Sequence, residues 1–454
     1  TWDKTVLVRK EGGQPTSIND GVKVVESSVR NQYKTTPYVD TAVQNEKIYY
    51  YRAFAVSTNK LVSDEGANAV QAQPMPYVLY GFEIDETNAD PFGAVKYIEE
   101  SADFEPLSSG DGTVKYGSWA DKFPLNRLKV VLLKDGEVVE ELDKNDYRKT
   151  TDGRTVDITS GNEGDVMVAI PLTYWKFNRV GTKLRVYVSD GQPDDDFVAY
   201  AHSRDGVVQD EYLYVGAFKG TVASGKLRSL HDTMSTGDVT IGGFRTNAEA
   251  NGKGYGQMNW ATMTLLQIYS VLLTKSLDSQ TALGMGYTNN NSSYIKNGAT
   301  VASGLFYGEQ TGKKQMKFLG LEDFYGNRYE WVDGFATSSS RDILINDKNV
   351  NYNNAGDGYT KHGKCFSANG YIKGVEGTTG TGFIPKVTEG ASTSTYYCDY
   401  AYQSSSGGRV AYFGGTRSDS GDGASAGAFF FYADDGPSYS NAYRGARCLF
   451  LKNK

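Results

Sequence analysis

Apolar and polar residues alternate along Thr5-Val6-Leu7-Val8-Arg9-Lys10 ahead of Glu11-Gly12-Gly13, and again along Lys47-Ile48-Tyr49-Tyr50-Tyr51-Arg52-Ala53-Phe54-Ala55-Val56. A period of two with turn signals between the runs predicts the short strands of a β-sandwich. Gln71-Ala72-Gln73-Pro74-Met75-Pro76 reads as a Pro-marked linker, which sets a first domain at 1–76. From 77 to 165 the pattern stays β with polar turns, as in Lys129-Val130-Val131-Leu132-Leu133 followed by Asp135-Gly136, and in Thr155-Val156-Asp157-Ile158. The last domain is read over 166–454 and opens on strand-like runs at Val166–Pro171 and Leu184–Val188. One clear helix follows Asn259, because Trp260, Met263, Leu266, Ile268, Tyr269, Leu272 and Leu273 recur at helical spacing, with Gly284 beyond its end. Its apolar residues mark it as a core helix. From Thr288 to Lys454 the chain is rich in Gly, Ser, Asn and Tyr with few long apolar runs, so loops held on a compact scaffold are expected.

Composition narrows the setting. The 454 residues are 39% hydrophobic and 22% charged, a globular balance, and contain no apolar run long enough for a membrane span, so no membrane insertion is expected. A net charge of -7 argues against a cationic face for phosphate backbones, so nucleic acid is not an expected partner. Cys365, Cys398 and Cys448 are too few and too scattered for a disulfide framework or a four-ligand zinc site. The start, Thr1-Trp2-Asp3-Lys4, has neither Met nor a signal-peptide pattern, as expected of the cut end of a longer product. The 33 Tyr and 52 Gly suit loops and strands that present aromatic surface, since Tyr offers wide apolar contact and one hydroxyl at low entropic cost. Strands also favour Tyr for their own sake, and composition does not separate the two.

Three motifs go further. Trp2, Leu7 to Gly13, Asn19-Asp20-Gly21, Tyr38-Val39-Asp40 and Tyr49-Tyr50-Tyr51 together resemble fibronectin type III-like modules of phage tail proteins. Segments around Ile170-Pro171 with Trp175, Glu211 to Gly216 and Lys275 to Gly284 look like parts of phage tail-tip proteins. Glu322 to Gly334, with Gly326-Asn327-Arg328-Tyr329-Glu330-Trp331-Val332 at its centre, resembles a segment shared by formylglycine-generating-enzyme-like proteins and the lectin-fold proteins diversified by retroelements. There Gly326-Asn327 suits a tight turn, Trp331 and Val332 are expected in the core, and Glu330 is expected to tie down loop amides.

The stretch from Gly414 to Cys448 resembles the variable region of proteins targeted by diversity-generating retroelements. Its framework positions are Gly414, Gly415, Gly427, Phe429, Pro437, Ser438, Gly445 and Arg447. In that family, adenine-directed mutation of Asn codons yields no Lys, Glu, Gln, Met or Trp. None of these five types occurs from Gly414 to Arg444. The matching diversified, ligand-binding positions are Arg417, Ser418, Asp419, Asp422, Ser425, Phe430, Tyr432, Asp434, Asp435, Tyr439, Asn441 and Tyr443. Arg417 stands where an aromatic is usual, and the loop before Gly423 is longer than the common form. The set combines rigid aromatic anchors with adaptable hydrogen bonders, as in antibody loops.

The resemblance implies an α+β class, with a C-type lectin-like domain of few helices, mixed β and long loops, preceded by an all-β fibronectin type III-like sandwich. It implies a receptor-binding protein on a virion tail, homotrimeric, with other tail proteins and a host cell-surface receptor, protein or glycan, as partners. It implies neither enzyme activity nor a cofactor or metal. Phe430, Tyr432, Tyr439 and Tyr443 are expected to be exposed on one face.

Other chemistry finds little footing. The reactive centre of the oxidative fold relatives is a close cysteine pair ahead of a terminal Gly-Phe-Arg-Cys, and here only Cys448, matching the non-catalytic terminal cysteine, remains. His202, His231 and His362 sit in no nucleophile motif and read as surface residues. Gln192-Pro193-Asp194 copies a galactose-binding tripeptide of calcium-dependent lectins, but no Trp-Asn-Asp partner follows, so an acidic turn among Asp190, Asp194, Asp195 and Asp196 is the better reading. The alternatives kept open are a bacterial surface-displayed variable adhesin, a tail-associated enzyme and a purely structural tail protein.

Overall fold

The computed structural model describes the chain except residues 35–37, 39, 45–46, 64–67, 75–76, 419–424 and 453–454. It divides into two compact units, Thr1–Tyr77 and Val78–Lys454. In the first, one antiparallel sheet runs in the order Val22–Ser27, Trp2–Glu11, Tyr49–Ser57, Val70–Ala72. The period-two pattern sends Val6, Val8, Phe54 and Val56 to one face, where they form a small core packed by Ile18 and Val62.

The second unit is built on three larger sheets. Glu137–Asp143, Lys129–Lys134, Asp165–Pro171 and Tyr212–Gly216 lie side by side in a seven-stranded sheet, which the near-terminal strand Cys448–Phe450 and then Tyr255–Gln257 extend. Every residue of Asp165–Pro171 is buried, as a central strand covered on both faces requires. Tyr174–Val180, Lys183–Ser189, Leu79–Asp85 and Val95–Glu99 form a four-stranded antiparallel sheet. The eight-stranded sheet centres on Tyr329–Thr337, Val410–Phe413 and Phe431–Asp435, and Arg444–Gly445 pairs parallel to the start of Tyr329–Thr337.

The helix after Asn259 spans Trp260–Thr274 and all its residues are buried. Asn259 caps it by accepting a hydrogen bond from Thr262 N at 2.8 Å. It ends at Lys275, held in the left-handed region with φ 52°, so Gly284 instead follows a separate short helix, Ser279–Leu283. No helix among the described residues is long and apolar enough to cross a membrane.

This architecture corrects the α+β, lectin-like expectation. With three α-helices among the described residues, 36% strand and 7% helix make this a β-rich fold. The error came from the Gly, Ser and Tyr-rich stretch after Thr288, read as loops. Its strands are mostly two to five residues long, as at Tyr400–Gln403 and Val410–Phe413, too brief to register as alternation, yet they build most of the eight-stranded sheet.

Candidate functional site

The scaffold under the terminal segment is a buried ion cluster. Glu330 Oε1 accepts from Arg447 Nη2 at 2.7 Å and from Lys219 Nζ at 2.8 Å, and all three side chains are at most 1% exposed. Arg447 spends its remaining donors on carbonyl oxygens of Gly216, Ala217, Glu322 and Asp323, so the guanidinium ties the seven-stranded sheet to the Glu322–Gly334 motif. Burial alone would raise the Glu330 carboxyl, but the charges of Arg447 and Lys219 outweigh it and hold it below the ordinary range. Burial lowers the Lys219 ammonium against the pull of Glu330. The expected role of Glu330 therefore passes to Glu322, which accepts from Thr300 N at 2.8 Å, Thr300 Oγ1 at 2.7 Å and Gly298 N at 2.5 Å. Trp331 and Val332 are fully buried, with Trp331 Nε1 donating to Val239 O.

On this base the segment from Gly414 runs across the sheet. Gly427 packs so closely on Asp399 that a Cβ there would lie 2.2 Å from Oδ1. Phe429 N donates to Asp399 Oδ2 at 2.7 Å, and burial pushes the Asp399 carboxyl well up. Phe429 itself packs edge to face on Phe383 and Tyr397.

The expected ligand-binding positions divide. Tyr439 and Tyr443 are exposed, at 42% and 38%. Arg417, Ser418, Tyr432, Asp434, Asp435 and Asn441 are half-buried, and Asp419 and Asp422 lie outside the described residues. Phe430 and Ser425 are corrections, being 0% and 3% exposed. Phe430, immediately before the strand Phe431–Asp435, is stacked on Tyr432 at 4.4 Å and on Tyr329 at 5.4 Å. It belongs to the core cluster of Trp331, Tyr412 and Cys448 and serves as the floor under Tyr432. The carbonyl of Ser425 accepts from Tyr400 N, which ties it inward.

The same face recruits aromatic residues from outside the segment. Tyr402, exposed by 37%, lies 5.3 Å from Tyr432, and Tyr371 meets Tyr400 edge to face at 5.2 Å. The alternation in Tyr400-Ala401-Tyr402-Gln403 could have signalled the outward pair. Asp435 accepts from Arg444 Nη2 at 2.7 Å, while Asp434 accepts from the Tyr412 hydroxyl at 2.7 Å. Asn441 joins the exposed pair, donating to Tyr439 Oη and accepting from Tyr443 N, each at 2.9 Å. Further along, Arg417 N donates to Asn327 O and Arg417 O accepts from Asn291 N, docking the segment on the loop that carries Tyr294.

Elsewhere, Asp194 pairs with Lys176 and accepts from Asp196 N, while Asp190 pairs with Arg127, so these carboxylates are engaged with protein groups. Among the described residues no three His, Cys, Asp or Glu side chains gather within reach of one metal ion. The surface reading of the histidines fails for His202, which is fully buried beside Ile170 O and is pushed down to about 4 by burial. All three cysteines are free thiols, and burial pushes each of them up, away from the reactive thiolate.

No protein-family model and no curated protein matches the chain. Among solved structures, the "Major Tropism Determinant P3c Variant" aligns over 90% of this chain and 82% of its own, at 11% identity and a TM-score of 0.24. The "Major Tropism Determinant M1 Variant" aligns over 94% and 89%, also at 11% identity and a TM-score of 0.24. At that level neither alignment bears on function.

Proposed function

We propose that the chain is a receptor-binding protein of a phage tail, whose segment 414–447 presents a diversified surface to a ligand on the host cell. The observation that carries the reading is the division between a fixed interior and a varied exterior. Framework positions Gly427, Phe429 and Arg447 are locked into packing and buried hydrogen bonds, while Tyr439, Asn441 and Tyr443 face outward between them. Support also comes from the absence of Lys, Glu, Gln, Met and Trp between Gly414 and Arg444, as adenine-directed diversification requires. Exposed tyrosines on a short loop pinned between strands of a sheet lose little entropy on contact and suit a binding face better than a reaction centre. The proposed setting is a homotrimer on the virion tail, where linked copies turn weak single contacts into firm attachment.

Sequencing the codons for 414–447 across sibling isolates tests the reading. Changes confined to the outward positions, beside an adenine-rich template copy, are expected. An invariant segment without a template overturns it.

A further inference from the structure

Beside the exposed Tyr443, two guanidinium groups close on one phenol. The Arg328 guanidinium carbon lies 3.6 Å from the centre of the Tyr294 ring, and that of Arg417 lies 4.8 Å from the same ring and 5.6 Å from the ring of Tyr443. Tyr294 and Tyr443 meet edge to face at 6.1 Å. An aromatic face attracts a cation but carries no net charge to neutralise it. Among the described residues neither arginine has a carboxylate within 4.0 Å, although the chain holds more acids than bases. Their side-chain hydrogen bonds go to neutral acceptors, Arg328 Nε to Ser235 Oγ and Arg417 Nη1 to Asn291 O. Arg328 Nη1 and Arg417 Nε are buried without a partner, and Arg328 is 6% exposed. Burial lowers the Arg328 pKa; Arg417 adds to this, while Tyr294 and Asp238 oppose it.

We propose that the Arg328 and Arg417 pair receives a carboxylate of the attachment ligand, carried by an acidic pyranose whose ring packs on Tyr443. A carboxylate neutralises two neighbouring cations at once, and its oxygens match the planar donors of the half-buried Arg417. The tyrosine favours a sugar over an acidic peptide side chain, because an acidic pyranose offers an apolar ring face next to its carboxylate and Asp or Glu does not. The assignment deepens the proposed attachment function and rests on it.

The test is saturation-transfer NMR on the full chain with D-glucuronate as probe and D-glucose as control. Glucuronate is expected to bind at least about tenfold more tightly, the worth of one charge-assisted hydrogen bond, and to weaken as salt rises. Arg417→Gln should reduce glucuronate to the level of glucose, whereas Arg417→Lys, which keeps the charge, should retain part of the preference. Thermal melting of both variants checks that the segment stays docked on Asn291. Equal binding of the two sugars, or a preference that survives Arg417→Gln, overturns the proposal. Binding of oligoglutamate without glucuronate also overturns it, and assigns the carboxylate to a protein. A chain that attaches to host cells through Tyr439 yet ignores glucuronate refutes this inference alone. A chain with no Tyr439-dependent attachment refutes the attachment function itself.

Discussion

Arg444 lies against the ring of Tyr412, its guanidinium carbon 3.7 Å from the ring centre, while two of its nitrogens donate to Asp435 Oδ2 at 2.9 and 2.7 Å. The same guanidinium carbon is 4.7 Å from the Tyr329 ring and 5.6 Å from Tyr439. One cation thus joins the three central strands of the eight-stranded sheet to the outward loop.

Arg444→Ala should destabilise the second unit by about 2–4 kcal/mol, because it removes a stacked cation and leaves Asp435 unpaired. Arg444→Lys should recover only part of this, since an ammonium cannot combine the planar stack with two aligned donors. Urea unfolding of the three proteins checks both values.

Phe430 and Tyr439 should separate stability from binding. Phe430→Ala hollows the floor under Tyr432 and should cost about 3–5 kcal/mol in unfolding free energy. Tyr439→Ala removes an exposed ring and should stay within about 0.5 kcal/mol of the parent while weakening attachment to host cells. Equal unfolding losses in the two variants would contradict the described burial.

Glu330→Gln leaves Arg447 and Lys219 as buried cations without a carboxylate, and should cost about 3–5 kcal/mol. Adding Lys219→Met to Glu330→Gln should give back part of the loss, which a double-mutant cycle in urea would register as coupling.

Asp323 sets a pH dependence. Burial, aided by the neighbouring Glu322, pushes its carboxyl up to about 7, above the value near 4 of an unfolded chain. A folded state that holds the proton more tightly than the unfolded one loses stability as pH rises. The Asp323 contribution should therefore fall between about pH 4 and pH 7, and Asp323→Asn should flatten that slope. Unfolding free energies measured across this window decide it.

The sequence carried the parts whose physics is local. The run at helical spacing after Asn259 predicted the helix and where it starts. The alternation at Thr5–Lys10 and Lys47–Val56 predicted strands, and the strands Trp2–Glu11 and Tyr49–Ser57 stand there, side by side in one sheet. What local pattern could not carry was sheet membership of very short strands, or the depth of Phe430, which depends on Tyr329 about a hundred positions earlier meeting it face to face. Glu330 lost its expected role to Glu322 for a similar reason. Which carboxylate meets loop amides and which meets a cation is decided by Arg447 and Lys219, brought in from far along the chain. Tyr294 and Arg328 were missed because they join the outward face only in space.

Cys448–Phe450 sits inside the seven-stranded sheet, between Tyr212–Gly216 and Tyr255–Gln257, and it follows the outward segment directly. A stop codon or a lost reading frame anywhere between 414 and 443 would delete that strand and leave both neighbours with bare edges. A chain cut short within that stretch would thus fail to complete the seven-stranded sheet, so the fold of the second unit depends on translation through to its last strand.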